Sequence, residues 1–246
     1  MPRTPIWTTI AATLTGEIAA GAYVPGDKLP TEAQLAARFG VNRHTVRRAL
    51  ATLAEAGTLQ PRRGAGVFVT SVPTDYPLGR RVRFHQNVLD SGRSPSRTFL
   101  LRQTRNANAE EAAALHLPAG AAVHVIEGVS LVDGLPVSLF RSAFPAARFP
   151  ALLEQVARLL SITAALAEAG VQDYTRASTR LTAKSADAVQ AMHLRLSPGA
   201  PLLRSVAVNV DAAGQPIEFG TTWFAGERVT LTVSPEAGEA AVDKLS

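Results

Sequence analysis

The sequence predicts an α+β protein in two parts: three helices closed by a hairpin over residues 1–70, then an antiparallel sheet with helices over 80–236. Three observations predict it. Apolar residues recur at helical spacing three times before residue 54. A glycine-rich turn then joins two short extended runs. Beyond residue 80, alternating runs outnumber helical ones, and Asp133-Gly134 and Ala213-Gly214 read as hairpin turns between them.

In the first part, Ile6, Ile10, Leu14 and Ile18, with Trp7 beside them, form one face of a helix that stops at Gly21. Pro25-Gly26 makes a turn. Thr31 caps a second helix that turns Leu35 and Phe39 inward and ends at Gly40. Asn42 caps a third, with Val46, Leu50 and Leu53 as its buried stripe and Gly57 as its stop. Thr58-Leu59-Gln60 and Val67-Phe68-Val69 flank the turn Pro61-Arg62-Arg63-Gly64-Ala65-Gly66.

Residues 71–79 carry two prolines and no periodicity, and read as a linker. Phe84 to Leu89 reads as a short helix ended by Gly92. Arg97 to Arg105 alternates like a strand. Asn108 and Glu111 have capping-box spacing for a helix through Leu115. The hairpins are Val123–Val132 with Pro136–Phe144, and Leu202–Val210 with Pro216–Phe224. Helices are expected at 161–169 and 186–194, strands at 174–183 and 229–233, and a loose tail over 237–246. No internal repeat is evident.

The 246 residues are 46% hydrophobic and 18% charged, enough to build real cores. There is no cysteine, which excludes a disulfide framework and thiolate chemistry. No apolar run reaches the roughly 18 residues of a membrane span. The N-terminus lacks a secretory layout, so the expected location is the cytoplasm. The net charge is +5, and 22 of the 25 basic residues are arginine. The basic excess lies in the first 105 residues, pointing to an anionic partner there.

The short turn Phe39-Gly40-Val41-Asn42 gives the second and third helices helix-turn-helix spacing. Opposite its buried stripe, the third helix carries Arg43, His44, Arg47 and Arg48 near its start, the region that reads base edges in the major groove. Arginine suits bidentate contact with guanine. Asn42 and Thr45 belong to the same N-terminal turn, where an amide or backbone N–H can meet phosphate. Arg62, Arg63 and Gly64 form a hairpin tip able to approach the backbone or minor groove.

The run from Tyr23 to Leu50, which includes Pro25-Gly26-Asp27-Lys28-Leu29-Pro30-Thr31-Glu32 and Val41-Asn42-Arg43-His44-Thr45, followed by Gly57 and Gly64-Ala65-Gly66-Val67-Phe68-Val69, resembles the winged helix-turn-helix of the GntR family of bacterial transcription regulators. The resemblance implies DNA contacts by Asn42, Arg43, His44 and Arg47 on the helix and Arg63 and Gly64 on the wing. Ala33 stands where some members carry a contacting arginine.

Catalytic signals are sparse. His44, His85, His116, His124 and His193 show no metal spacing. There is no Gly-x-Ser-x-Gly elbow and no nucleotide-binding glycine loop. No metal or cofactor is expected. Arg83 beside Phe84 and His85, Arg141, and the pair Arg176 and Arg180, four apart and able to share a strand face, suit a small anion. Glu218, a lone acid between Ile217 and Phe219, calls for a partner if buried.

The second part resembles the effector-binding domain of the HutC-type subfamily, a UTRA-type fold related to chorismate lyase, through Asp133-Gly134-Leu135-Pro136, Phe149-Pro150, Ser161, Gly214-Gln215-Pro216-Ile217-Glu218-Phe219 and Trp223-Phe224. Asp75-Tyr76-Pro77-Leu78, Arg83-Phe84, Gln86-Asn87 and Ser178-Thr179-Arg180 bring it closer to regulators of phosphonate uptake and degradation operons. In sugar-phosphate-binding relatives a loop, an Arg-x-Arg pair and a serine hold the phosphate. The loop corresponds to Phe84 and His85 and the serine to Ser161. The arginine pair falls on Gly128 and Ser130, and a family glutamate falls on Phe140. Arg83, Arg141, Arg176 and Arg180 are then the expected substitutes, with Glu218 as the family acid and Phe224 as the aromatic.

The expectation is a homodimeric repressor that reads a pseudo-palindromic operator in double-stranded DNA and answers to a small anionic effector. The alternatives are an enzyme on the lyase-like scaffold and a ligand-independent DNA-binding protein.

Overall fold

The computed structural model describes residues 5–62, 64–70, 73–79, 84, 88–89 and 92–233. The chain divides into Met1–Val72 and Pro73–Ser246.

In the first unit, α1 (Ile6–Ala19), α2 (Glu32–Phe39) and α3 (Arg43–Glu55) precede a hairpin of β1 (Leu59–Arg62) and β2 (Gly66–Val69). α1 buries Ile10, Ala11 and Leu14, while Ile6 is 61% exposed, so the inward stripe starts a turn later than the spacing suggests. Thr31 and Gln34 close a reciprocal capping box at the start of α2, and Gly40, with φ at 65°, ends it. Val46, Ala49, Leu50 and Leu53 of α3 pack on Ile10, Leu14, Leu35, Leu59 and Val69. At roughly 1.5–3 kcal/mol for each large apolar side chain buried, this stripe fixes which face of α3 is left to solvent. Residues 26–29 add to the hairpin edge through Leu29 N–H to Val67 O at 2.8 Å and Val69 N–H to Asp27 O at 2.9 Å.

The second unit begins with β3 (Thr74–Pro77), inside the stretch read as a linker. Its prolines hid an alternating pattern in which Thr74 and Tyr76 are buried. It pairs in parallel with β10 (Val229–Thr232), the last strand among the described residues. Phe84, Val88 and Leu89 have helical backbone, as expected. Then follow β4 (Pro95–Asn106), α4 (Ala109–Ala114), β5 (Ala122–Val132), β6 (Leu135–Pro145), α5 (Leu152–Leu159), α6 (Ile162–Glu168), β7 (Tyr174–Ser185), α7 (Ala188–Leu194), β8 (Pro201–Asp211) and β9 (Pro216–Ala225). Of these, α5 was not foreseen. The six long strands form one antiparallel sheet in the order β4-β5-β6-β9-β8-β7.

This order reveals an internal repeat, contrary to the sequence reading. β4-α4-β5-β6 and β7-α7-β8-β9 are two copies of strand, helix and hairpin, joined across β6 and β9. Both helices open with a capping box, Asn108/Glu111 and Asp187/Gln190. His116 and Arg195 follow them with φ of 53° and 51°, and Gly120 and Gly199 with 79° and 81°. Matching backbone angles under different side chains made the duplication invisible to residue identity. Both first strands also carry a bulge, between Phe99 and Leu101 and between Arg176 and Ser178.

α4 and α7 cover one face of the sheet, against Val125, Ala143, Val206 and Phe219 and against Leu139, Leu202 and Trp223. α5 and α6 cover part of the other, against Ile126, Phe140, Phe144 and Ile217. Arg228 ties the two halves. It is 2% exposed, and its guanidinium donates to Pro136 O at 2.7 Å, Leu194 O at 2.6 Å and Arg195 O at 2.9 Å.

His124 is buried between Thr104 Oγ1, 2.8 Å from Nδ1, and Phe149 O, 3.1 Å from Nε2. The carbonyl can only accept, so Nε2 carries the proton and Nδ1 accepts from threonine. Burial holds the imidazole pKa below its usual value, against a smaller upward pull from the Phe149 carbonyl. The unfolded chain therefore binds this proton more readily. Its contribution to stability is complete above about pH 6.5 and is lost as pH falls, at no more than ~1.4 kcal/mol per pH unit. Urea unfolding at pH 7 and pH 5.5 should show the loss, and His124→Gln should reduce it; an unchanged pH dependence in the variant would assign it to other groups.

Candidate DNA-binding surface and effector site

On the first unit, Asn42 caps α3 with its side-chain oxygen, which accepts from Thr45 N and Thr45 Oγ1, both at 2.9 Å. Asn42 and Thr45 thus set the backbone from which the basic side chains project. Arg43 and His44 are exposed on the first turn. Arg47 is held in a bidentate pair by Glu32 of α2, Nε to Oε1 at 2.9 Å and Nη2 to Oε2 at 2.7 Å. The Arg47 guanidinium keeps the Glu32 carboxyl below its usual pKa. Arg48 lies over the Trp7 ring of α1 at 4.6 Å, and Arg62 over Phe68 at 4.3 Å. The sequence put four basic groups on equal terms; the structure leaves Arg43 and His44 open, pairs Arg47 and stacks Arg48. Gly64, with φ at 74°, turns the wing, and a Cβ there would meet nothing within 4 Å. Arg63 lies outside the described residues.

In the second unit the strand register sorts the predicted residues by face. The face with α5 and α6 carries Arg97, Ser130, Phe140, Ser142, Glu218, Phe224, Asn209 and Arg176. The opposite face carries Arg141 and Arg180. Arg141 donates to Glu127 at 2.7 Å, and Arg180 lies 3.6 Å from Glu110 beside a cavity of about 310 Å³ walled by Val206, Val208 and Phe219. Arg176 and Arg180 therefore do not share a face, because the bulge between them shifts the alternation by one residue. The expected convergence of Arg141 and Arg180 with Arg176 does not occur. Arg83 and His85 lie outside the described residues.

On the α5/α6 face, Glu218 accepts from Ser142 Oγ at 2.5 Å and from Asn209 Nδ2 at 2.7 Å. Ser130, Ser138, Ser142 and Ser205 make a buried polar floor. Gly220 keeps it open, since a Cβ there would stand 3.5 Å from Glu218 Oε1 and 3.7 Å from Ser142 Oγ. Tyr76 roofs one end, 5.1 Å from Phe224 and 6.2 Å from Phe84 between ring centres. Burial pushes its hydroxyl pKa up to about 12, so it remains a neutral donor. Ser161 caps α6, accepting from Ala164 N at 3.2 Å, and Thr163 on that helix is 3.1 Å from the Tyr174 hydroxyl.

The residue that sequence reasoning missed is Arg97. Its guanidinium lies 5.4 Å from the Phe84 ring centre and 5.0 Å from that of Phe140, and burial draws its pKa down. It feels the charge of Glu218 and the hydroxyls of Tyr76 and Tyr174. Its Nε and that of Arg176 are shielded from solvent with no hydrogen-bond partner among the described residues. Arg97 stands opposite Ser130, one of the positions where sugar-phosphate-binding relatives place the arginine pair. At the other, Gly128, a Cβ would lie 2.6 Å from Thr98 O and 2.8 Å from the Phe140 ring. The glycine seats Phe140, and a guanidinium reaches this region from the neighbouring strand. The available signal was this cross-strand pairing, which needs a register rather than a motif. In the internal repeat Arg97 and Arg176 occupy equivalent places, opposite Ser130 and Asn209.

A winged helix with an open basic turn, followed in the chain by a sheet with charged groups on a polar floor, defines a DNA-binding regulator with a separate sensing domain. The chain belongs to the GntR family of bacterial regulatory proteins, whose model matches residues 7–69, and carries a UTRA domain over 90–230. It is 39% identical over 229 residues to an HTH-type transcriptional regulator of Rhizobium meliloti (strain 1021), covering 93% of this chain and 94% of that one. PhnF of Escherichia coli (strain K12) is 35% identical, with 86% and 88% covered. The crystal structure of PhnF from Mycobacterium smegmatis matches with a TM-score of 0.63 at 27% identity, covering 93% of this chain and 99% of that one. The protein is thus a transcription regulator, similar to regulators of phosphonate operons, and not an enzyme. Among the described residues no helix is long and apolar enough to cross a membrane.

Proposed function

We propose that the protein is a cytoplasmic, homodimeric repressor whose α3 enters the major groove of each half of a pseudo-palindromic operator. Arg43 and His44 face the base edges. Asn42, Thr45 and Arg47 set the turn and meet the backbone, while Arg48, the wing arginines Arg62 and Arg63, and Gly64 contact flanking phosphates. A small anion of the phosphonate, phosphate or related class binds on the α5/α6 face among Arg97, Arg176, Phe84, Phe224, Ser161 and Glu218, with Arg83 and His85 from the preceding segment. The observation that supports effector control is the pair of shielded, unpartnered guanidinium nitrogens of Arg97 and Arg176. A buried donor left unsatisfied is costly, and an anion satisfies it. By binding one head arrangement better than the other, the anion shifts the population away from operator binding.

Fluorescence anisotropy on DNA from the protein's own upstream region tests this, with inorganic phosphate, methylphosphonate and glucosamine 6-phosphate at two salt concentrations. Specific binding released by one of these anions is expected. Specific binding indifferent to all three would remove the anionic effector, and salt-sensitive binding without sequence preference would favour a ligand-independent DNA binder.

A further inference from the structure

We infer that the effector is a zwitterion, an ammonium joined by a short chain to a phosphonate or phosphate, held with its anion at Arg97 and its ammonium at Glu218. This rests on the effector site proposed above and names the class of ligand that fits it. Several arginines elsewhere in this unit are held in ion pairs. Arg93 pairs with Asp133, Arg105 with Glu111, Arg141 with Glu127, Arg148 with Asp211 and Arg158 with Glu168. On the α5/α6 face, by contrast, neither Glu218 nor Arg97 has an ion-pair partner among the described residues. Arg97 feels the charge of Glu218, and no ion pair joins the two.

Their chemistry is complementary to two ends of one molecule. Glu218 takes one neutral donor on each oxygen, Ser142 Oγ on Oε1 and Asn209 Nδ2 on Oε2. Ionised carboxylate oxygens hold about four acceptor sites, so capacity remains for an N–H donor. The floor beside it is kept clear by Gly220. Arg97 is flanked by two aromatic rings, which orient the guanidinium, and its Nε is shielded and unpartnered. Tyr76 and Tyr174 sit within electrostatic reach of it, and the Tyr76 hydroxyl stays neutral. A purely anionic ligand would answer Arg97 and Arg176 and be repelled by Glu218. A zwitterion answers both, and in a low-dielectric site that difference is large.

Isothermal titration of the full-length protein with (2-aminoethyl)phosphonate, ethylphosphonate, ethanolamine and inorganic phosphate tests the inference. (2-Aminoethyl)phosphonate should bind at least tenfold more tightly than ethylphosphonate. Glu218→Gln, which keeps the side-chain shape, should bring that ratio to within about twofold while ethylphosphonate binds no worse. Arg97→Met should weaken both phosphonates. Equal binding of the two phosphonates to the wild type, or a preference that survives Glu218→Gln, overturns the zwitterion. Should Glu218→Gln fail to fold, the wild-type comparison decides alone. Binding of phosphate or ethylphosphonate without any gain from the amine overturns this inference and leaves the anionic effector standing, whereas binding of none of the anions removes both.

Discussion

Arg228→Met is expected to destabilise the sensing unit by about 3–5 kcal/mol, the largest single effect foreseen for any substitution in it. The arginine is 2% exposed and donates to the carbonyls of Pro136, Leu194 and Arg195. Pro136 is the second residue of β6 in the first copy of the repeat, and Leu194 and Arg195 end α7 in the second. Arg195 stands in the left-handed region, φ at 51°, so that turn relies on its carbonyl being satisfied. Methionine fills much of the volume and supplies no donor, which leaves the buried carbonyls of Pro136 and Leu194 open at about 1–3 kcal/mol each and the part-buried carbonyl of Arg195 to solvent. Urea unfolding followed by far-ultraviolet circular dichroism should show the sensing unit melting early while the DNA-binding unit keeps its own midpoint. A change below about 1 kcal/mol would mean that the carbonyls find other donors.

Arg43→Ala should weaken binding to the cognate operator by about 1–3 kcal/mol, roughly 5- to 150-fold, and relax sequence preference at one position of each half-site. Arg43 opens α3, is exposed and has no ion-pair partner among the described residues, so no internal contact is lost with it. Arg43→Lys separates the two roles of the side chain. It keeps the charge, and therefore the salt dependence, but not the fork that matches a guanine edge. Arg48→Ala is the contrast: its stacking on Trp7 is lost, and affinity should fall evenly across sequences. Binding by Arg43→Ala with unaltered sequence preference would place base reading elsewhere on the head.

The DNA-binding unit was legible because its information is local. Periodic stripes, capping residues at 31 and 42 and glycines at 40 and 57 all lie within a few residues of what they control. The hairpin at Asp133-Gly134 was legible for the same reason. The candidate effector site was not. Whether Arg176 and Arg180 share a face depends on one bulge residue, Ala177, which carries no signature of its own. Arg97 reads as one more polar position in an alternating strand until β5 is laid beside it. β3 was lost because its prolines argue against a strand, although as a four-residue edge partner of β10 it tolerates them. Glu218 stood out because an acid between Ile217 and Phe219 is anomalous in itself.

The pairing of β3 with β10 carries one more consequence. Tyr76 stands in the middle of β3, a few peptide units past Val72, where the DNA-binding unit ends. The strand that roofs the polar floor is therefore also the strap by which the sensing unit follows on in the chain, and β10 is the post to which that strap is buckled. The backbone that carries the Tyr76 ring is fastened along Thr74–Pro77 to Val229–Thr232. A chain cut after Arg228 would retain the polar floor and the whole of the recognition helix yet leave the strap unbuckled. On the function proposed above, such a chain should still bind its operator and its anion, while the anion no longer releases the DNA.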